Sequence, residues 1–340
     1  FDNSEDQLYW LIEEVERCKE NSLYFCNKYG KIKEDKATDG TGMIQYIAWE
    51  PQKVLLFLFD CGYSMIIGKG RQIGFTTTMC LAGMKRVNFF KSYFVKFVTH
   101  TENKGKEIFK DKVKWAHTKI PDHLAEEVKN WTDLIMALDR TDGKKGRENG
   151  SGSRFQVDTP KVDAINGGSP SLVMIDEIGL FEIFAQMMRE GRPALLKVDA
   201  KTGKLFMQQQ FVAWGTGGEM DKGGSVFESE FKKCLKEWRE GNYEYGIIPV
   251  FFNAYARPGV DHKFLDKEVR FYSKNSDSKD AEVAKVQFYQ AYPIVIEHMF
   301  LRKSRTLVPI TKCVQRKEDI YTNKKIDYGY FEPIYDKSQP

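Results

Sequence analysis

The 340-residue sequence has little that would hold a metal cluster or a disulfide framework. Its six cysteines include no C-x-x-C pair and its five histidines are scattered, which disfavours a zinc site and fits a reducing cytosol. No apolar run approaches the ~18–20 residues that a membrane-spanning helix needs. Internal repeats and long low-complexity tracts are also missing, so nothing indicates a repeat architecture.

Charged residues (29%) and aromatic residues (14%) are both plentiful, which excludes a disordered chain and favours an ordinary globular fold. The length allows one large domain with appendages, or two smaller domains. The net charge of +4 is spread over a long chain. It is compatible with a nucleic-acid partner without arguing for one.

Short buried-strand patterns alternate with helical patterns through the middle of the chain. Strands are predicted at 64–68, 93–100, 172–176, 210–216 and 246–253. Helices are predicted at 5–20, 49–60, about 76–90 and about 225–238, and one more follows the strand at 93–100 and continues to about 118. Loops are predicted at 27–42 and 141–153. The stretch at 260–325 is predicted to be helical and then irregular. This alternation predicts an α/β fold with a mostly parallel sheet, whose ligands bind at the carboxyl ends of the strands.

Residues 68–78, GKGRQIGFTTT, resemble a Walker A loop, G-x-x-x-x-G-K-[ST], with Phe75 in place of the lysine. Counting back from Gly74, the first position of the pattern is Lys69, which could reach the β- and γ-phosphates from the other end of the loop. Thr76 stands where a hydroxyl ligates Mg²⁺, and Arg71 adds a second cation. The predicted nucleotide-binding residues of the loop are Lys69, Gly70, Arg71, Gln72, Ile73, Gly74, Phe75, Thr76 and Thr77. The alternative is a basic glycine turn without a ligand.

Two acids follow the strand at 172–176. Asp176 could hold Mg²⁺ and Glu177 could orient or deprotonate the attacking water, as in P-loop NTPases. Two acids after a strand are also common as solvated turn residues. Their place about 100 residues after the loop favours the catalytic interpretation.

Two further candidates are weaker. Thr216 and Gly217 follow the strand at 210–216, where a hydroxyl could contact the γ-phosphate and glycine would let the strand end shift. The alternative is an ordinary glycine turn. Gln52 could read an adenine edge, since an amide both donates and accepts, or it is an exposed helix residue.

Taken in order, these pieces resemble the ATPase half of the large terminase, the DNA-packaging motor of tailed bacteriophages and related viruses. The resemblance covers about residues 45–310. It rests on WEPQ (49–52), KGRQIGFTT (69–77), FVTHTENKGKEIFKDKV (97–113), the approach to LVMIDE (149–177), AWGTGG (213–218) and FYQAYPIVIEHMFLRKS (288–304). Some large terminases also carry the Walker lysine at the start of the loop.

The resemblance implies a P-loop NTPase of the ASCE, RecA-like type with a small C-terminal helical or linker subdomain. It implies ATP and Mg²⁺ as cofactors, with Lys69 and Arg71 on phosphates, Thr76 and Asp176 on the metal, and Glu177 on the water. Thr216 and Gly217 would couple hydrolysis to movement, and Gln52 would lie near the adenine. The expected units are 1–45 (helix and loop), 46–255 (ATPase core), 256–325 (helical subdomain) and 326–340 (start of a linker).

The family's second half is a nuclease, and after residue 340 there is no room for one. We therefore expect an excised ATPase half, which also fits the start at Phe1, and no nuclease activity. The resemblance implies double-stranded DNA, a portal protein and a small terminase subunit as partners, in the host cytoplasm at the procapsid portal. It also implies a homo-oligomeric ring in the motor, although an isolated ATPase half is compatible with a monomer.

Basic residues offer contacts to DNA phosphates or to a neighbouring subunit's nucleotide. The candidates are Lys144, Lys145, Arg147, Arg154, Arg302, Lys303 and Arg305. The alternative is a solvated basic surface. For the whole chain, the alternatives to a packaging motor are a helicase-like DNA-dependent ATPase and a degenerate P-loop protein that binds nucleotide without hydrolysis.

Overall fold

The computed structural model describes residues 4–33, 42–138, 151–198, 201, 205–241, 246–274, 278–302, 316 and 319–320. The helices are α1 (Ser4–Glu20), α2 (Ser22–Tyr29), α3 (Glu50–Asp60), α4 (Phe75–Phe89), α5 (Glu102–Ile108), α6 (Trp115–His117), α7 (Phe184–Leu195), α8 (Gly223–Glu240), α9 (His262–Lys274), α10 (Ser278–Ala291) and α11 (Ile296–Met299). Within the described residues, no helix is long and apolar enough to span a membrane.

The strands form one large sheet and two small antiparallel pairs. They are β1 (Lys31–Lys33), β2 (Met43–Gln45), β3 (Ser64–Lys69), β4 (Phe94–Val98), β5 (Val128–Trp131), β6 (Ile135–Leu138), β7 (Ser153–Asp158), β8 (Leu172–Asp176), β9 (Leu196–Val198), β10 (Leu205–Met207), β11 (Gln210–Gly215) and β12 (Ile247–Phe252). The large sheet has eight strands in the order β12-β3-β11-β8-β4-β7-β6-β5. Neighbours from β12 to β7 are parallel, and β6 and β5 join antiparallel.

The central strands are buried on both faces, which is why they read as continuous apolar runs in the sequence. Along β3, Met65 and Ile67 face one hydrophobic core and Ile66 faces the other. The first core is completed by residues of α1 to α4, and the second by residues of α7, α8 and α11. Helices therefore cover the sheet on both sides, and the predicted α/β fold with a mostly parallel sheet is confirmed.

The strand order brings the ends of three strands together. Strand β11 lies between β3 and β8, paired with both, and Gly215 of β11 lies opposite Gly68 of β3. Lys69 ends β3 and Asp176 ends β8. An added strand between the phosphate-loop strand and the acid-bearing strand is the arrangement expected for the predicted ASCE-type P-loop fold.

Two local expectations are wrong. The expected loop at 27–42 begins with structure instead: α2 extends to Tyr29 and β1 follows it, because Phe25 and Cys26 are buried and Asn21 caps the helix by accepting from the Tyr24 N–H. The sheet extension β5–β7 is also absent from the strands predicted above. Of the predicted loop at 141–153, Ser153 is buried and starts β7, whereas residues 139–150 lie outside the described part of the chain.

His117 on α6 is a buried histidine with an unusual proton affinity. Its side chain is 5% exposed, its Nε2 has no hydrogen-bond partner among the described residues, and its ring packs edge-on against Trp131. Burial lowers the pKa of His117 to about 4. The folded protein therefore holds the neutral imidazole at a pH where the unfolded chain already binds a proton.

The substitution His117→Phe is expected to make the fold less sensitive to acid. A folded pKa below the unfolded value adds stability above the unfolded pKa, near 6.5, that is lost as the pH falls through about 4. The wild-type free energy of unfolding should thus fall by up to about 3 kcal/mol more than that of the variant over this window. Urea titrations at pH 7 and pH 4 measure it, with exposed His100→Phe as the control. Equal pH dependence in wild type and His117→Phe would contradict the prediction.

Candidate active site

The loop between β3 and α4 is held in place by backbone hydrogen bonds to two distant parts of the chain. The N–H of Gly70 donates to the Phe252 carbonyl at 3.1 Å, and the N–H of Arg71 donates to the Ala291 carbonyl at 2.8 Å. Gln72 and Gly74 adopt the left-handed backbone conformation, with φ of 60° and 77°. Gly74 is the N-cap of α4, so the first N–H groups of that helix face the loop. The loop therefore has the strand–turn–helix setting of a phosphate-binding loop.

Phe75 occupies the position of the usual Walker lysine and is a core residue. It is 1% exposed, and its ring meets that of Phe252 edge-on at a centroid distance of 4.9 Å. A lysine here would have to bury its ammonium group among aromatic rings, which is costly without a partner. The predicted phosphate-binding lysine, Lys69 at the other end of the loop, instead has a carboxylate partner in Glu177.

The predicted metal ligands Thr76 and Asp176 are in contact, although 100 residues separate them. The Thr76 hydroxyl donates to Asp176 Oδ1 at 2.9 Å. Burial, together with the charge of Glu177, raises the pKa of Asp176 to about 6, against the opposing influence of Lys69. A buried carboxylate that is destabilised in this way, and lies beside a hydroxyl, is a site that a bound cation would stabilise.

Glu177 is held by three hydrogen bonds, one from the last residue of β3 and two from the residue that follows β11. Lys69 Nζ donates to Oε1 at 2.8 Å, and the backbone N–H and hydroxyl of Thr216 donate to Oε2 at 3.2 and 3.3 Å. Its own backbone is left-handed, with φ 56° and ψ 52°. Burial alone would raise its pKa, but Lys69 and Thr216 hold the pKa of Glu177 below its usual value. The residue is therefore an ionised carboxylate, suited to accept a proton or orient water.

The left-handed backbone of Glu177 independently indicates a functional site. A non-glycine residue in the left-handed region costs free energy and persists only where surrounding contacts enforce it, often at functional sites. Here the enforcing contacts are those of Lys69 and Thr216. The turn after β8 thus points the carboxylate back toward the phosphate loop.

The predicted coupling residues contact two different partners. Thr216 bonds to Glu177, and Gly217 packs against Met299 of α11. A Cβ added to Gly217 would lie 1.6 Å from the carbonyl oxygen of Met299, so no side chain fits at this position. A Cβ added to Gly68, at the end of β3, would lie 2.6 Å from the Met299 side chain. Met299 is fully buried and packs against both strand ends.

Gln52 is a buried residue that braces the loop. Its Nε2 donates to the Ile73 carbonyl at 2.9 Å, and its Oε1 accepts from the Trp49 N–H and the Tyr46 hydroxyl. These bonds use three of the four hydrogen-bonding positions of the amide. The alternative of an exposed glutamine is wrong, since the side chain is 4% exposed. An adenine contact through the remaining N–H stays a prediction.

The substitution Gln52→Ala is expected to destabilise the loop at residues 70–76. It leaves the Ile73 carbonyl and the Trp49 N–H without their partner, which costs about 2–4 kcal/mol of folding free energy for two unsatisfied groups. Thermal unfolding measures the loss, and amide exchange at residues 70–76 should become faster. Lys53→Ala, on the exposed side of the same helix, is the matched control. Unchanged loop exchange in Gln52→Ala would contradict the bracing role.

The basic candidates divide into described and undescribed residues. Arg71 is exposed beside the loop. Arg154 lies over the Phe94 ring at 3.8 Å, and exposed Arg302 donates to Glu228 at 3.2 Å. Lys144, Lys145, Arg147, Lys303 and Arg305 lie outside the described residues. Their contacts to DNA or to a neighbouring subunit stay predictions.

One residue at the site lies in a stretch that carries the resemblance but has no role assigned from the sequence. Lys112 donates from Nζ to the Thr77 hydroxyl at 2.9 Å. It lies in the stretch KDKVK, whose spacing resembles any solvated helix face. Only the folded chain reveals that this lysine reaches the start of α4.

The oxygen atoms of Asp176 and Thr76 suit Mg²⁺ better than a transition metal. Mg²⁺ is bound through one or two carboxylates together with water and phosphate oxygens, and Asp176 with Thr76 offers that donor set. The described residues contain no group of three or more His, Cys, Asp or Glu side chains able to hold a metal. A magnesium ion at this site would therefore depend on phosphate oxygens for the rest of its coordination.

No protein-family model matches the chain, and no curated protein does. Similar solved structures are bacteriophage large terminases. The HK97 bacteriophage enzyme has 11% identity and a TM-score of 0.48, with 90% of this chain and 53% of that chain covered.

Two more structures have comparable similarity. The ATPase domain from Thermus phage P74-26 has 14% identity and a TM-score of 0.44, covering 70% of this chain and 88% of that one. The large terminase of thermophilic bacteriophage D6E in complex with ADP has 14% identity and a TM-score of 0.43, covering 66% and 50%. The chain thus spans about half the length of the HK97 and D6E proteins. The fold of this chain is shown by its own strand order and by the loop between β3 and α4.

Proposed function

We propose that this chain hydrolyses ATP and is the motor domain of a large terminase that moves double-stranded DNA into a procapsid. The observation that carries the proposal is the convergence, at one edge of the sheet, of a buried lysine, an ionised glutamate and a hydroxyl–carboxylate pair. These are the parts that phosphoryl transfer to water needs: a cation on the phosphates, a metal site and a group that activates water.

Each residue has a role set by its contacts. Lys69 binds the β- and γ-phosphate oxygens, with Arg71 as an exposed second cation. The N–H groups of residues 72–76 cradle the phosphates, because those of Gly70 and Arg71 are bonded to Phe252 and Ala291. Thr76 and Asp176 hold Mg²⁺, which neutralises charge on the phosphates when bound. Glu177 orients the attacking water and takes its proton. Thr216, bonded to the Glu177 carboxylate, couples the site to the rest of the chain.

The partners follow from the task of a motor that moves any sequence. Such a protein holds the phosphate backbone of DNA, whose contacts supply affinity without reading bases. We propose double-stranded DNA, a portal protein and a small terminase subunit as partners, with a ring of copies of this chain in the working motor. The host cytoplasm, at the procapsid portal, is the corresponding location.

The test is ATP turnover by the purified chain with and without duplex DNA. Phosphate release that depends on Mg²⁺ and displacement of a third strand from a triplex, without separation of the duplex, are the expected results. Duplex unwinding would favour a helicase-like ATPase instead. ATP binding without turnover, even with DNA, would favour a degenerate P-loop protein and overturn the proposal.

A further inference from the structure

A second lysine approaches the phosphate loop from a different side of the fold. Lys112 places its ammonium group 2.9 Å from the hydroxyl of Thr77, the third residue of α4. Thr76, one position earlier, points to Asp176. Successive residues of a helix are turned by about 100°, so the two hydroxyls face different neighbours. Lys69 and Lys112 therefore flank the start of α4 from two directions.

The segment that carries Lys112 has an unusual backbone. Phe109–Lys114, between α5 and α6, is a π-helical turn, while Phe109 and Val113 within it are buried in the core. Such turns are rare and occur frequently at functional sites, and the extra residue in the turn reorients the side chains that follow. In this chain one of the reoriented side chains is Lys112, which reaches Thr77.

The electrostatics of the contact are unfavourable without an anion. The start of a helix carries a partial positive charge, and cations are stabilising at the opposite end. Lys112 is half-buried against that positive end, and the described contacts give it no carboxylate: neighbouring Asp111 pairs with Lys33 instead. A cation held against a helix start becomes favourable when a phosphate lies between them.

We propose that Lys112 binds the α-phosphate of the nucleotide, an inference that rests on the ATP-binding function proposed above. Lys69 bonds to Glu177, the residue assigned to the attacking water, so Lys69 marks the γ-phosphate end of the site. Lys112 contacts Thr77, whereas the preceding residue Thr76 points to Asp176, the neighbour of Glu177. Lys112 is therefore assigned to the end of the phosphate chain nearest the nucleoside. The site thus has Lys69, at the start of the loop, and Lys112, from outside it, in place of the lysine that Phe75 replaces.

The test compares ADP and ATP affinities of Lys112→Ala by calorimetry. Because both nucleotides carry an α-phosphate, both affinities should fall by about tenfold or more, the size of a charge-assisted hydrogen bond. Lys69→Ala should instead weaken ATP more than ADP. Exposed Lys110→Ala, from the same turn, should bind like wild type, and Lys112→Arg should retain most of the affinity.

Thermal unfolding separates this role from a structural one. Without nucleotide, Lys112→Ala should unfold at the wild-type temperature or slightly above it, because it removes a cation from the positive end of α4. If Lys112→Ala binds ADP like the wild type, or loses affinity for ATP only, the role of Lys112 is wrong but the proposed ATP-binding function stands. A clearly lowered unfolding temperature with unchanged ADP affinity would assign Lys112 to the fold. Wild-type protein that binds neither nucleotide would overturn the proposed function as well.

Discussion

Replacing Glu177 with glutamine is expected to lower the rate of ATP hydrolysis by about 10²–10⁴-fold, the contribution of a positioned general base. The amide keeps the size of the side chain and can still accept from Thr216, so the turn after β8 should survive. What is lost is the ability to accept a proton from water. Single-turnover phosphate release measures the effect on chemistry apart from binding.

The same substitution is expected to tighten ATP binding. In the wild type, Lys69 is bonded to the Glu177 carboxylate, and a phosphate oxygen must compete with it for the ammonium group. The neutral amide of the variant would compete less, and the substitution also removes one negative charge facing the phosphates. Exposed Glu182→Gln is the matched control and should change neither quantity. Turnover at the wild-type rate in Glu177→Gln would remove the residue from the catalytic role.

Lys69→Ala is expected to weaken ATP binding by about 10–100-fold, since hydrogen bonds to charged groups are worth about 1.5–3 kcal/mol. Turnover should fall further, by about 10²-fold, because a preorganised cation stabilises the charge that develops on the phosphates. The loss also leaves Glu177 without its cation, so both halves of the site are affected. Nucleotide titration and steady-state hydrolysis measure the two effects, with exposed Lys91→Ala as the control.

Returning the lysine to its usual place should not restore activity. In Lys69→Ala/Phe75→Lys, the new ammonium group would start from a position that is 1% exposed and packed against Phe252. We expect this double variant to be less stable than Lys69→Ala and no more active. Recovery of wild-type turnover would show that the two ends of the loop are interchangeable, contrary to the packing.

The parts of the fold that could be predicted from the sequence are those with a strong local signal. Fully buried parallel strands such as β3 and β8 appear as apolar runs, and the acids or glycines after them mark the strand ends. Because parallel strands end at one edge, Lys69, Asp176 and Thr216 could be grouped before any coordinates. Their actual contacts, such as Lys69 with Glu177 across 108 positions, depend on strand order, which no local pattern encodes.

The features that were missed depend on non-local packing. Strands β5 and β6 have four residues each, too few for a clear periodic pattern, and the edge strand β5 has no buried residue. The role of Gln52 follows from its burial against the Ile73 carbonyl, which its helix pattern does not reveal. Lys112 reaches Thr77 only because a π-helical turn changes the helix register, and no residue type signals that turn.

The two glycines packed against Met299 determine how movement can leave the site. Between the end of β11 and α11 there is direct backbone contact at Gly217, with no flexible side chain to absorb a displacement. Close-packed interiors have low compressibility and transmit strain. If the bonds between Thr216 and Glu177 change, Thr216 would shift. The close contact at Gly217 would then displace Met299 and the chain that follows it to Arg302 by a similar distance. In the proposed motor, α11 would carry movement away from the nucleotide site through the backbone contact at Gly217, whose close packing depends on the absence of a side chain.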